Sequence, residues 1–304
     1  MSERPSSEPM RVTRELLRAL PLPVPEEGAK EERGAILVVA GSREVPGAAL
    51  LAATAALRAG AGKLAMATAA SVAVPLSLAM PEALVVALPE TEAGAVRGEA
   101  AAELLRRFPA PDAALIGPGM TADADAQALA AGFLEGHDEA GIVLDAGALK
   151  GLEASAERVR ARRGATVITP HAGEMAHLLG RERAAVEADP LGAAREAVAR
   201  LGVVAVMKGA CTYVVTPAGE AWTHDGGHVG LATSGSGDVL AGIIVGLMAR
   251  GADAAHAALW GVHVHGEAGR RLAGTVGPLG FLARELPGEV PRILAALGPE
   301  APTT

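Results

Sequence analysis

Asp238 follows directly on Gly235, Ser236 and Gly237 in the stretch GLATSGSGDVLAGIIVGLMARG, residues 230–251, at the mouth of an apolar helical run. An ordinary helix cap needs only one Ser or Asp. Consecutive small residues leave the first backbone N–H groups of the helix bare, and a bare N-terminus at the positive end of the helix dipole is an anion site. A carboxylate placed there either caps the helix or takes a proton beside a phosphate. Amides that stabilise charge on phosphate oxygens, with a carboxylate that accepts the proton of an attacking hydroxyl, make a phosphotransfer site.

Other residues with chemistry to offer stand where short apolar runs end. Gly41-Ser42, with Gly47 and Ala48 at the following helix start, lets a backbone approach a ligand closely or packs strand tightly to helix. Residues 41–63 lack the G-x-x-x-x-G-K-[ST] pattern, and Lys63 leads into a strand, so this is no P-loop. Gly117-Pro118-Gly119 has no side chain to offer and reads as a turn. In TPHAGE (169–174) helix capping explains Glu174, whereas His171 has no such structural reason and is read as functional. Asp145 either caps the next short helix or holds a hydrated metal. Lys208 in VMKGACT, followed by Gly209 and Thr212, either snorkels to the surface or follows the phosphates of a nucleotide. It is one of only four lysines (Lys30, Lys63, Lys150 and Lys208) in an arginine-rich chain. Cys211 has no partner base in view and reads as a small packing residue. His263 and His265 are two apart on a helix, point to different sides and cannot share one metal, so His265 reads as tight helix packing.

These residues need a frame that brings strand ends together. Residues 35–41, 63–68, 83–88, 113–119, 141–147 and 165–170 are near-continuous apolar runs separated by helical patterns, the signature of a parallel sheet covered on both faces. The first helix spans 46–60, opened by Pro46 and closed by Gly60. From 203 on, VVAVMKG, CTYVVTP and EAWTHD are separated by turns alone and predict an antiparallel edge. Helices follow at 236–250, 253–274 and 287–297. Ligands bind outside the carboxyl ends of strands in such sheets, so the polar strand ends describe one crevice. Residues 1–34 read as an N-terminal tail with at most one short helix at 13–20, and residues 35–304 as a single domain.

Bulk properties narrow the function. The chain has 304 residues and a formal charge of −8, which argues against non-specific nucleic-acid binding; aromatics at 2% remove the stacking platforms of single-strand binders. One cysteine excludes an internal disulfide framework and fits a reducing cytoplasm. No signal peptide and no uninterrupted membrane-spanning run is present, so no membrane partner is expected.

GSREVPGAALLAATAALRAGAGK, IGPGM, VLDAGAL, TPHAGEMAHLLG, KGACTYVVTPAGE and GLATSGSGDVLAGIIVGLMARG, in this order, resemble the ADP/ATP-dependent NAD(P)H-hydrate dehydratase family of the ribokinase-like superfamily over about residues 30–298. The resemblance implies a three-layer α/β/α sandwich and repair of hydrated nicotinamide cofactors. The S epimer of NADH or NADPH hydrate would lose water with ADP, or ATP, as co-substrate and Mg²⁺ as cofactor. Asp238 would then be the base, and Gly235, Ser236 and Gly237 the anion hole. Ala48, Gly119 and His171 would touch the hydrated dinucleotide, and Lys208, Gly209, Ala210, Cys211, Thr212 and Gly237 the adenine nucleotide. No residue is assigned as a metal ligand. The family commonly has Pro at the position of Ala172, and Asp at that of Gly147; neither bears on an assigned role. Many relatives carry an epimerase domain in front, for which the 34-residue head is too short, so a separate epimerase is expected, as is a homotetramer. The alternatives are a small-molecule kinase of the same fold, of the hydroxymethylpyrimidine or hydroxyethylthiazole type, and a nucleotide-sensing module with a dead site, which the presence of Asp238 disfavours.

Overall fold

A computed structural model of the chain describes residues 8–24, 30–121 and 123–298. Its centre is a sheet of β1 (Met10–Arg11), β2 (Ala35–Val39), β3 (Lys63–Ala69), β4 (Ala83–Leu88), β5 (Ala113–Ile116), β6 (Gly141–Leu144), β7 (Thr166–Ile168), β8 (Val204–Met207), β9 (Thr212–Val215) and β10 (Ala221–His224). Their order is β1-β10-β9-β8-β7-β6-β5-β2-β3-β4. All neighbours are parallel except β8 with β9 and β9 with β10. The antiparallel ladder expected from residue 203 onward is therefore present, but it is not the outermost strand. That place belongs to β1, paired parallel to β10 at Met10↔Trp222.

Alternation along each strand builds two cores. In β2, Ile36 and Val38 face one layer, while Leu37 and Val39 face the other. The first layer holds the helices Pro46–Arg58, Ser236–Ala249, Ala254–Thr275 and Leu286–Leu297; the second holds Ala100–Arg107, Ala124–Gly136, Ala172–Leu179 and Pro190–Leu201. Helices on both faces explain why the inner strands carry no polar alternation. The arrangement is a three-layer α/β/α sandwich.

The stretch read as a tail contributes more than a short helix. Its helix Arg14–Ala19 is capped by Thr13, whose Oγ1 accepts from Leu16 N at 3.2 Å, and Leu17 is fully buried. Trp260 Nε1 donates to Leu20 O at 2.8 Å and ties this segment to the body. Residues 1–7 and 25–29 of that stretch lie outside the described residues, as do 122 and 299–304.

One contact between helices sets the position of Asp238. Ser236–Ala249 lies against Pro46–Arg58 through small residues on both sides. A Cβ at Gly242 would stand 2.3 Å from Ala52 O, and one at Gly246 would stand 2.5 Å from Ala56 O. The backbones touch, so the helix mouth is held against the carboxyl end of β2. Gly242→Ala is expected to destabilise the fold by about 1–3 kcal/mol despite alanine's better helix propensity, because backbone and not a flexible side chain must give way. A lowered midpoint in urea unfolding, with unchanged slope, is the expected reading.

Candidate active site

The sheet order reverses between β2 and β5, since β3 and β4 run out to one side and β6, β7 and β8 to the other. Clefts form at such a reversal, beyond the carboxyl ends of the strands. Gly41 follows β2 and donates its N–H to Pro118 O at 2.7 Å, so two strand ends are bonded directly. Gly117-Pro118-Gly119 is the expected turn, closed by Met120 N to Gly117 O at 2.9 Å. Gly117 has φ 117°, and a Cβ there would stand 1.9 Å from Asp145 O, so only glycine lets β5 and β6 end side by side. Gly119 and Ala48 meet on this side, with the Cβ position of Gly119 at 2.6 Å from Ala48 Cβ. Ala48 itself is buried, and its part is to bring helix and turn together.

Farther along, β6 ends in Asp145, which is 2% exposed. Its Oδ1 accepts from Thr169 Oγ1 at 2.7 Å and from Lys208 Nζ at 2.8 Å. Asp145 stands at the cap position of the short turn Ala146–Leu149 but makes no side-chain capping bond. The capping alternative is thus replaced by a buried ion pair with Lys208. The next residue, Ala146, has φ 48°, a left-handed conformation that a residue with a Cβ rarely holds without constraint. Lys208 does not snorkel: its side chain is 18% exposed and its Nζ also lies 3.7 Å from Glu174 Oε2. Burial disfavours its charge, but Asp145, Glu174 and Asp238 outweigh that and hold its pKa above the ordinary lysine value.

His171, expected from its sequence context to have no structural reason, has one. It is the N-cap of Ala172–Leu179, its Nδ1 accepting from Gly173 N at 3.0 Å and Glu174 N at 3.2 Å, while Glu174 Oε2 accepts from His171 N at 2.8 Å. This is a capping box with histidine in the place usually taken by Ser or Thr. The Nδ1 lone pair is committed to the backbone, and Nε2 lies 3.5 Å from Glu174 Oε1 on a side chain that is 57% exposed.

The mouth of Ser236–Ala249 is left uncapped. Gly235 is the N-cap, with φ 90°, and no side chain caps the helix. Ser236 N donates to Thr233 O at 3.2 Å, and the amides of Gly237 and Asp238 follow in the uncapped first turn. The Ser236 hydroxyl is turned away from them, to His265 Nε2 at 2.9 Å. Asp238 is half-buried, and its pKa is raised to about 7, chiefly by burial, then by the Asp145 carboxylate. Lys208 opposes this in part, and Glu174 adds to it.

A cavity of about 770 Å³ opens in front of this helix, within the range of nucleotide and cofactor sites. Lys208, Gly209, Ala210 and Thr212 form one wall, Thr233, Ser236, Gly237 and His265 another, with His171 also in the lining. Val229, Leu231 and Leu240 add apolar surface. The Cβ position of Gly237 stands 3.2 Å from Lys208 Nζ, so bare amide and ammonium face the same space. Cys211 does not line it, and its Sγ lies 2.8 Å from Thr223 Oγ1. Ala48 and Gly119 are outside this cavity as well. Asp238 lies toward them: the Cβ position of Gly235 is 3.8 Å from Asp238 Oδ2 and 2.4 Å from Leu51 Cδ1, on the helix that carries Ala48. Nothing local in the sequence marks the Asp145–Lys208 pair or His265 against Ser236, apart from a lysine at a strand end in a chain with so few.

Among the described residues no three His, Cys, Asp or Glu side chains are gathered as for one metal ion, and no helix is long and apolar enough to cross a membrane. The ADP-dependent (S)-NAD(P)H-hydrate dehydratase of Xanthomonas campestris pv. campestris is 52% identical over 288 residues, covering 94% of this chain and 96% of that one. The bifunctional NAD(P)H-hydrate repair enzyme Nnr of Moorella thermoacetica is 38% identical over 91% of this chain, which spans 52% of that longer protein. The crystal structure of the Bacillus subtilis ADP/ATP-dependent NAD(P)H-hydrate dehydratase, co-crystallised with ATP/Mg²⁺, superposes with a TM-score of 0.83 at 31% identity, covering 96% of this chain and 100% of that one. The NAD(P)H-hydrate dehydratase family matches residues 36–292, which takes in the crevice, the Asp145–Lys208 pair and the helix mouth, and the chain belongs to that family.

Proposed function

We propose that this chain dehydrates the S epimer of NADH or NADPH hydrate to NAD(P)H with ADP as co-substrate, releasing AMP and phosphate. The observation that carries it is Asp238, a half-buried carboxyl with a pKa of about 7 in the uncapped first turn of a helix whose amides meet a nucleotide-sized cavity. A base works best with a pKa near the operating pH, and the amides stabilise phosphoryl oxygens as their charge grows.

Hydroxide is a poor leaving group, so the ring hydroxyl must be converted before it can depart. Asp238 takes the hydroxyl proton, and the oxygen attacks the terminal phosphorus of ADP. The bond to the bridging oxygen breaks and AMP carries off its electron pair. The ring nitrogen's electrons then expel phosphate from the same carbon, and a proton lost from the neighbouring carbon restores the double bond. Lys208 and the amides of Gly237 and Asp238 hold the phosphoryl oxygens, and Gly209, Ala210 and Thr212 run along the adenine nucleotide, with the Cys211 thiol turned to Thr223 instead. Gly119 and His171 bind the hydrated dinucleotide, with Asp238 between the two ligands, while the buried Ala48 serves this subsite only by packing its helix against the Gly119 turn. Gly235 and Ser236 shape the anion hole. Bound with the nucleotide, Mg²⁺ would add positive charge beside the phosphoryl oxygens, and no side chain is assigned as its ligand.

We further place the protein in the cytoplasm, as a homotetramer of one-domain chains whose substrate epimer comes from a separate epimerase. The relative at 52% identity, matched over 96% of its length, carries the dehydratase name alone, which supports a single activity per chain. Incubation with hydrated NADH and ADP decides the reaction. NADH, AMP and inorganic phosphate are expected in equal amounts, read by the return of dihydronicotinamide absorbance and by phosphate release. A stable phosphorylated alcohol accumulating from hydroxymethylpyrimidine or a thiazole alcohol, with no NADH formed, would identify a kinase instead.

A further inference from the structure

The helix Ser236–Ala249 begins without a side-chain cap, yet its first turn is where charge has to be stabilised. First turns fray when nothing holds them, because their N–H groups have no partner in the helix. A Ser or Asp cap would hold the turn but would consume the very amides a phosphate needs. The chain restrains the turn from the opposite side. His265, on Ala254–Thr275, places its Nε2 3.0 Å from Ser236 O and 2.9 Å from Ser236 Oγ. A carbonyl only accepts, so Nε2 carries the hydrogen, and the ring donates to the peptide oxygen. That carbonyl belongs to the planar Ser236–Gly237 peptide unit, whose N–H points the opposite way. Gly237 lines the cavity, and its Cβ position lies 3.2 Å from Lys208 Nζ.

We propose that His265 is a positioning residue that replaces the missing cap: by holding the Ser236 carbonyl and hydroxyl from behind, it fixes the Gly237 and Asp238 amides toward the cavity and leaves them free for phosphoryl oxygens. His265 works through Ser236 and needs no contact with the reacting atoms. The catalytic part of this inference rests on the phosphoryl-transfer reading above; the restraint of the turn does not. Burial in the cavity wall keeps the ring neutral, at a pKa of about 4, throughout the working pH range.

Three variants separate this role from space filling. His265→Gln can put a donor near the Nε2 position, His265→Asn puts its donor nearer Nδ1, and His265→Leu fills the space without a donor. kcat is expected to fall about 10- to 100-fold in the Asn and Leu variants and to recover within a few-fold of wild type in the Gln variant. KM for ADP should change by less than kcat, since the adenosine end keeps its wall. Hydrogen exchange provides the arm that needs no activity. Val239 N, bonded to Gly235 O at 3.2 Å, closes the first turn. Exchange at Val239 and Leu240 should quicken in Leu and Asn and return in Gln, while exchange in the middle of the helix stays as in wild type. Equal exchange in all four proteins, or equal kcat loss in Gln, Asn and Leu, would overturn the assignment. If wild type itself makes no NADH from the hydrate, the reading of the reaction fails, and the exchange pattern still decides whether His265 holds the turn.

Discussion

Asp238→Asn is expected to lose about 10²–10⁴-fold in kcat while the protein becomes more stable at alkaline pH. Both effects have one cause. The carboxyl is pushed from its ordinary 3.8 to about 7 by burial and by the neighbouring Asp145, with Glu174 adding to the push. Between those two values the folded protein keeps a proton that the unfolded chain has released. Stability therefore falls as pH rises from about 4 through about 7, and remains at the lower level above that. Asn carries no charge in either state, so the variant escapes this loss, by on the order of 1–3 kcal/mol at pH 8. Thermal unfolding of the two proteins at pH 5 and pH 8 checks it: the gap should be small at pH 5 and favour the variant at pH 8. Wild-type kcat/KM should fall tenfold per unit as pH drops below about 7, because the base is then protonated. The residual activity of the variant should lack that limb. A variant with near-wild-type turnover, or one less stable than wild type at pH 8, would remove Asp238 from the role of base.

That the base could be found in the sequence, while the groups that tune it could not, has a physical reason. Asp238 announces itself locally, because small residues and a carboxylate at a helix start are one contiguous pattern. The inner strands are equally legible, since burial on both faces turns β2, β3, β5 and β6 into near-continuous apolar runs. Met10–Arg11 carries no such run: two exposed residues form a strand only because β10 offers a free edge, and nothing local marks that. His171 illustrates a different limit. Glu174 was legible as half of a capping box, but the other half is usually Ser, Thr, Asp or Asn, so an imidazole accepting two amides went unrecognised. Asp145 and Lys208 are 63 residues apart and meet because β6 and β8 both flank β7. His265 and Ser236 are 29 residues apart on different helices. Periodicity did place His263 and His265 on different sides of their helix; His263 packs edge-on against His224, and His265 against Ser236. Which partner each ring finds is a property of the packing alone.

Lys208→Met should produce the other large effect, in stability, nucleotide affinity and pH profile together. The ammonium stands among the carboxylates of Asp145, Glu174 and Asp238, which together keep it charged against burial. Asp145 is 2% exposed, and after the change it keeps only the Thr169 hydroxyl, at 2.7 Å. Removing one partner of a buried pair leaves the other charge uncompensated, which costs about 3–5 kcal/mol. Asp238 also loses the one neighbour that lowers its pKa, so the acid limb of kcat/KM should move to a pH above the wild-type value of about 7. ADP should bind at least tenfold more weakly, because the ammonium and the Gly237 amide share one space. The double variant Asp145→Asn/Lys208→Met separates these causes. Taking away the stranded carboxylate should return much of the lost stability and bring the acid limb back to the wild-type position or below it, since Asp145 raises the Asp238 pKa by more than Lys208 lowers it. It should return none of the ADP affinity, which needs the positive charge itself. Unfolding midpoints, pH–rate profiles and ADP titrations of the two variants read the three quantities separately. If the double variant recovers ADP binding together with stability, Lys208 only holds Asp145 in place, and the phosphoryl group is bound by the helix mouth alone.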